Sequence, residues 1–279
     1  MTGTGAPAVE KRFTAWMENP NDPTIRNAIH AADGARQYGY RAALVGGVTV
    51  YGWCVPTILE AAGETWFDNG WAEIQFRRPT YPGDEMTARA TPVDGAWSIT
   101  ADKQEGETCV RGQFGLGEAP WLGMLSRSSR LEADPELEKR EWLTLENAPV
   151  GKDLRTLPLN ISPNEARETA TKQLRETNPL FIGEQPLVHP STIARHMMTL
   201  LAYSYDYGRP SIHVSTHIQH LARVESGQEL LLAGHFQNAY QLKGHHYAIF
   251  DGTLLTPAGR ELARIRHTNI FKVAKSESA

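Results

Sequence analysis

Asn27-Ala28-Ile29-His30, followed shortly by Ala43-Leu44-Val45-Gly46-Gly47-Val48-Thr49-Val50-Tyr51, places the only histidine of the first half of the chain just before a Gly-Gly step that opens an apolar segment. If that segment is a helix, its first-turn amides have no intrahelical acceptor and carry the positive end of the helix dipole. They can hold a carbonyl oxygen that becomes an oxyanion or enolate, while an imidazole moves a proton near neutral pH. That combination suits thioester chemistry. The candidates are therefore His30 and Asn27 as reacting or orienting groups, and Gly46, Gly47, Val48, Thr49 and Tyr51 as substrate contacts. Asp22 and Asp33 are near enough in sequence to supply an acid, against the plainer role of turn or cap residues.

Other chemistries find less support. The histidines outside this stretch all fall in the second half, and on a strand His213 and His217 share a face roughly 13 Å apart, with His220 on the other side, at about 3.3 Å per residue. That spacing cannot close on one ion, so no metal is expected. Cys54 and Cys109 are too few and too far apart for a Cys-based metal site or a disulfide framework, and they fit a reducing compartment. Gly-rich phosphate loops and Gly-x-Ser-x-Gly elbows are absent, which leaves nucleotide and serine-hydrolase chemistry unsupported. The net charge of -4 supplies no field for nucleic acid, no basic cluster suggests a membrane surface, and the start lacks a signal-peptide pattern. A cytoplasmic protein without a cofactor is expected.

The positioning elements follow from periodicity. Residues 1–26 read as a short helix and then irregular chain, with Phe13 and Trp16 as packing anchors. Ala31 to Tyr38 reads as a short helix in a flap, and Val48, Tyr51, Val55, Ile58, Leu59 and Ala62 recur at helical spacing from Gly47 to Ala62, where Pro56 can bend the helix. Strands are predicted over 71–78, 85–93, 97–103 and 109–116, the last three separated by Asp94-Gly95 and Glu105-Gly106 turns. Residues 126–141 are charged and poor in apolar residues, as in a linker or solvated surface helix. Helices are expected over 165–174 and 190–205, then strands over 211–221, 229–240, 247–255 and 261–271.

The two halves repeat. Trp71-Ala-Glu-Ile-Gln-Phe lies ungapped over Ser215-Thr-His-Ile-Gln-His, with Gly83 over Gly227 and Glu85 over Glu229. Upstream, Leu44-Val45 matches Leu187-Val188, and Asn27-Ala28-Ile29-His30 lies over Asn178-Pro179-Leu180-Phe181. The simplest arrangement wraps a sheet around each long helix and pairs the sheets edge to edge. We divide the chain into 1–125, a charged linker 126–142, and 143–279.

Together Asn27-x-Ile-His30, the Gly-containing approach to the central helix and the Phe76-x-x-Pro79…Tyr81-Pro82-Gly83-Asp84 strand end resemble the MaoC-like hydratase/dehydratase family in its double hot-dog form. The resemblance implies an α+β double hot-dog fold, an acyl thioester of coenzyme A or acyl carrier protein as substrate, a place in fatty acid or polyketide metabolism, and addition or removal of water across the α,β bond with (R) specificity. It also implies a homodimer. The family signature, Asp-x-Asn-Pro-x-His, is split here. The first copy has Ile25 at the acid position and Ala28 for Pro but keeps His30; the second keeps Glu176, Asn178 and Pro179 but has Phe181 for His, so Glu176 and Asn178 read as a remnant. Loss of one member of an acid/base pair leaves three readings open: a hydratase/dehydratase-type lyase, a thioesterase or other enolate-based enzyme, and a non-catalytic thioester-binding subunit.

Overall fold

The computed structural model describes residues 7–23 and 25–274, so the part of the expected N-terminal helix falling on residues 1–6 and 24 lies outside the described residues. In chain order, β1 (Val9–Thr14) leads through a single turn at 28–30 to α1 (Ala32–Gln37), the long α2 (Gly47–Ala62) and the short α3 (Trp66–Asn69). Four strands follow: β2 (Gly70–Phe76), β3 (Glu85–Val93), β4 (Ala96–Lys103) and β5 (Thr108–Leu116). After the connection come β6 (Glu141–Trp142), β7 (Lys152–Asp153), β8 (Leu157–Asn160), α4 (Pro163–Glu168) and α5 (Pro179–Ile182). The second long helix is α6 (Pro190–Ser204), followed by β9 (Tyr205–Asp206), β10 (Ile212–His220), β11 (Glu229–Leu242), β12 (His245–Leu255) and β13 (Glu261–Lys272).

Eleven strands make one antiparallel sheet in the order β1-β3-β4-β5-β2-β10-β13-β12-β11-β7, with β8 also on β11. The halves join through β2 and β10, where Glu73 pairs with His217, the residue lying over it in the repeat. The local twofold therefore passes between those two residues. Pairing two otherwise open edges satisfies both rows of backbone donors and acceptors. The repeated turns keep their geometry: Gly83 and Gly227 both adopt positive φ, 89° and 82°, which a side chain would disfavour.

Helices α2 and α6 pack against each other as well as against the strands. On α2, Tyr51, Val55 and Ile58 follow the i, i+4, i+7 spacing of a buried stripe and are fully buried. Burying Val55 and Ile58 is worth about 1.5–3 kcal/mol each. The helix carries Pro56 in its interior and stops at Gly63, whose φ of 77° allows its amide to reach the Leu59 carbonyl at 2.8 Å.

Two local expectations fail, at residues 9–14 and at His213, and a third is narrowed to its linker alternative, at residues 126–140. Residues 9–14 form a strand, not a helix: alternate residues are half-buried against the core, Phe13 packing on Trp53 at 5.3 Å, and Val9 to Thr14 pairs with β3. Residues 126–140 form neither helix nor strand; Arg127 pairs with Glu261, Ser129 bonds Asp153 and Arg130 pairs with Asp134, so the charges tie an extended crossing to the sheet. His213 and His217 do not share a face. A bulge between His213 and Ser215 leaves His213 opposite Asn269 while Thr216 lies opposite His267, which turns His213 to the face of Thr216, Ile218 and His220.

Candidate functional site

The flap and the head of α2 are laced together by backbone. His30 N–H donates to the Asn27 carbonyl (2.9 Å), Leu44 N–H to the Ile29 carbonyl (2.8 Å) and Val45 N–H to the Thr80 carbonyl (2.9 Å). His30 Nδ1 stands 2.8 Å from the Leu44 carbonyl. A carbonyl can only accept, so Nδ1 carries the proton and Nε2 keeps its lone pair. Burial lowers the His30 pKa below 6.5, with the Leu44 carbonyl partly opposing the shift. The imidazole is thus a neutral base at pH 7.

Asn27 does not form an Asx turn. Its Nδ2 donates to the Ser211 carbonyl at 2.8 Å and its Oδ1 accepts from Ser211 N–H at 3.3 Å, fastening the flap to the loop before β10. The far end of the flap is held by Arg41, which lies over the Tyr81 ring and pairs with Asp84.

At the start of α2, Gly46 is extended (φ -61°, ψ 138°) and its carbonyl accepts from Thr49 and Val50. The amides of Gly47 and Val48 precede these donors and have no acceptor among the described residues. A Cβ on Gly47 would meet the Phe76 ring at 3.2 Å, so glycine lets the helix terminus sit directly against that ring.

These groups converge on a cavity of about 540 Å³ lined by Asn27, His30, Gly46, Gly47, Val48 and Phe76, and further along by Arg195, Met198 and His213. A second cavity, about 460 Å³, is lined by Asp22, Ile25, His30, Gly46, Thr49 and Gln173. His30 and Gly46 belong to both, so the two openings meet at the head of α2.

The sequence candidates thus separate. Asn27, His30, Gly46, Gly47 and Val48 come together; Thr49 and Asp22 face the smaller cavity. Ile25, at the signature's acid position, also faces that cavity, so the position is occupied by a side chain that cannot carry a proton. Asp33 is not near the site: its side chain is 95% exposed and pairs with Arg36. Its place in the first turn of α1 points it to solvent. Tyr51 is no substrate contact either, because the buried stripe of α2 carries it into the core.

In the second repeat the corresponding place is closed. Phe181 is fully buried, its ring 4.5 Å from that of His189 and 5.7 Å from that of Phe67. Glu176 Oε1 accepts from the amides of Thr177 and Asn178, and Asn178 Oδ1 from Leu180 N–H, so both remnant residues shape the local chain. At the head of α6, Pro190 has no N–H, and Ser191 N–H donates to His189 Nδ1 at 3.2 Å.

Two wall residues were missed by sequence reasoning. His213 reaches the cavity only through the β10 bulge, stacking at 4.0 Å on His267 and 4.7 Å from Phe76. Arg195 had a visible signal, being the single Lys, Arg, Asp or Glu within α6.

Comparison with protein-family models and with curated proteins gives no match. Solved structures do match over nearly the whole chain. A putative MaoC domain protein dehydratase from Chloroflexus aurantiacus aligns with TM-score 0.64 at 12% identity, covering 97% of this chain and 96% of that one. A conserved hypothetical protein from Mycobacterium tuberculosis with a double hot-dog fold gives 0.60 at 12% identity, covering 96% of each chain. The dehydratase domain of the CurJ module of the curacin polyketide synthase gives 0.52 at 10% identity, covering 96% of this chain and 92% of that one. With two tandem sheet-and-helix units joined into one sheet, this chain has the α+β double hot-dog fold that MaoC-like dehydratase structures share.

Proposed function

We propose that the protein is an acyl-thioester hydratase/dehydratase-type lyase with one working site, at the head of α2. The observation that carries this reading is that the unprotonated edge of a neutral His30 and the uncapped amides of Gly47 and Val48 line one cavity. In the hydration direction, the thioester oxygen accepts from those amides, which withdraws electron density from the β-carbon. His30 Nε2 takes a proton from water as the oxygen adds to the β-carbon, and the enolate charge collects at the helix terminus. The same imidazolium returns the proton to the α-carbon, so one group serves both steps and the atoms of one water are accounted for. Dehydration is the reverse. Asp22, which lines the smaller cavity together with His30, is the carboxylate we assign to orienting the water. The acyl carrier is coenzyme A or acyl carrier protein.

Crotonyl-CoA tests the reading through loss of enoyl absorbance, checked by identifying the 3-hydroxyacyl product. Turnover by the wild type that falls at least about a hundredfold in His30→Ala is the expected result. Release of free thiol instead would make the protein a thioesterase. Binding of the thioester without turnover would make it a non-catalytic thioester-binding subunit.

A further inference from the structure

The chemistry above leaves three charged wall residues of the larger cavity unused: Arg77 and Arg78, which are exposed, and the half-buried Arg195. Arg195, in the second turn of α6, lines the larger cavity, and its Nη2 donates at 2.5 Å to Oε1 of Gln173, which lines the smaller one. Because both cavities include His30 and Gly46, the Arg195–Gln173 pair lies along the wall that flanks the reacting end of the site.

Gln173 is neutral, and among the described residues no carboxylate lies within ion-pair distance of Arg195. Glu165 acts on it only at longer range, and burial disfavours its charge. Nor do the neighbouring imidazoles relieve it: His196 and His189 are held neutral by burial, with the Arg195 charge adding to the effect, at pKa values of about 4 and about 3. A half-buried guanidinium stays protonated, and leaving it without a counter-charge is unfavourable. Other charged groups in this protein are handled differently: Arg266 has Asp251, and the nearly buried Lys103 has Asp84 and Glu107. Of these cations Arg195 alone is paired to a neutral amide while facing a cavity sized for an acyl group.

We propose that Arg195 is the receptor for a carboxylate carried on the acyl part of the thioester, so that the preferred substrates are short dicarboxylic acyl thioesters. This rests on the thioester reading of the site and narrows its substrate class. A carboxylate and a guanidinium form charge-assisted, commonly bidentate hydrogen bonds, and the remaining Arg195 donors supply them while Gln173 fixes the plane of the fork.

Succinyl-CoA and butyryl-CoA give a matched pair, each with four acyl carbons, differing in a terminal carboxylate or methyl and unable to undergo hydration. Titration calorimetry is expected to show succinyl-CoA binding at least tenfold more tightly to the wild type, with Arg195→Gln abolishing the preference. Arg195→Lys keeps the charge and is expected to retain part of it, which separates loss of charge from general damage; thermal melts check that both variants fold. Equal binding of the two thioesters by the wild type, or a preference that survives Arg195→Gln, overturns the proposal while leaving the thioester site standing. If neither thioester binds the wild type, the thioester reading falls and the carboxylate receptor with it.

Discussion

At the head of α2 stand Gly46 and Gly47; at the head of α6 stand His189 and Pro190. The backbone is the same at both, since Gly46 and His189 each have φ -61° and ψ 138°. What differs is the fate of the first amides. At α2 two donors remain open to a cavity, whereas at α6 proline removes one and the His189 ring accepts from the other. The flanking histidine position differs in parallel, with His30 beside the open terminus and Phe181 packed into the closed one. A duplicated fold can therefore keep its backbone geometry in both copies while only one helix terminus keeps its amides open. Residue identity at three positions, 46/189, 47/190 and 30/181, decides which terminus is open.

The largest expected effect comes from removing the imidazole: His30→Ala is expected to lower crotonyl-CoA hydration by two to three orders of magnitude, and adding Phe181→His is not expected to restore it, because the second terminus has no free amide pair. Recovery of activity in the double variant would break the comparison. Next, Gly47→Pro converts the open terminus into the form found at α6. Proline is tolerated at the first helical position, so the expected loss is about a hundredfold in kcat from the missing amide. Gly47→Ala adds the same crowding against Phe76 at 3.2 Å but keeps the N–H, and the difference between the two variants isolates the hydrogen bond.

Acid sharpens the contrast in stability. His189, His213 and His220 are pushed down to about 3 and His196 to about 4, in each case first by burial. The unfolded chain protonates these rings near pH 6.5 while the folded chain does not, so each contributes stability above that pH. The contribution is lost at about 1.4 kcal/mol per pH unit as the pH falls from 6.5 towards 4. Melting temperatures are expected to drop steeply over that range, and Phe→His at 181 is expected to add one more such ring. A flat melting profile from pH 7 to 5 would show that those rings are not buried neutral.

Smallest are the carboxylate variants. Asp22→Asn, on the wall it shares with His30, is expected to slow turnover about tenfold, while Asp33→Asn, exposed and away from the cavity, leaves it within about twofold. Reversal of that order would move the orienting acid to the flap helix.

The period-3.6 pattern of α2 and the alternation in the strands were legible because each element buries one face, and the repeat showed through matched residues such as Ile74 and Ile218. His30 and the Gly46-Gly47 step were readable for the same local reason: a helix terminus and the imidazole before it are close in the chain. Residues 9–14 were misread because an edge strand takes its identity from pairing with β3, which short-range pattern does not reveal. Tyr51 is near Gly47 in the chain, but one turn further along α2 its side chain is fully buried in the core, which nearness in sequence does not reveal.

The chain by itself determined that there are two copies of one unit, that each holds a long helix, and that only the first keeps a histidine at the position of His30, where the second has Phe181, since periodicity and residue identity are local properties. Only tertiary structure decided that Arg195 from the second helix faces the cavity of the first, that the β10 bulge turns His213 into it, and that Asp33 is left in solvent. The first of these depends on the packing of α2 against α6 and the second on the register of β10 against β13, contacts between residues far apart in the chain that local pattern does not encode.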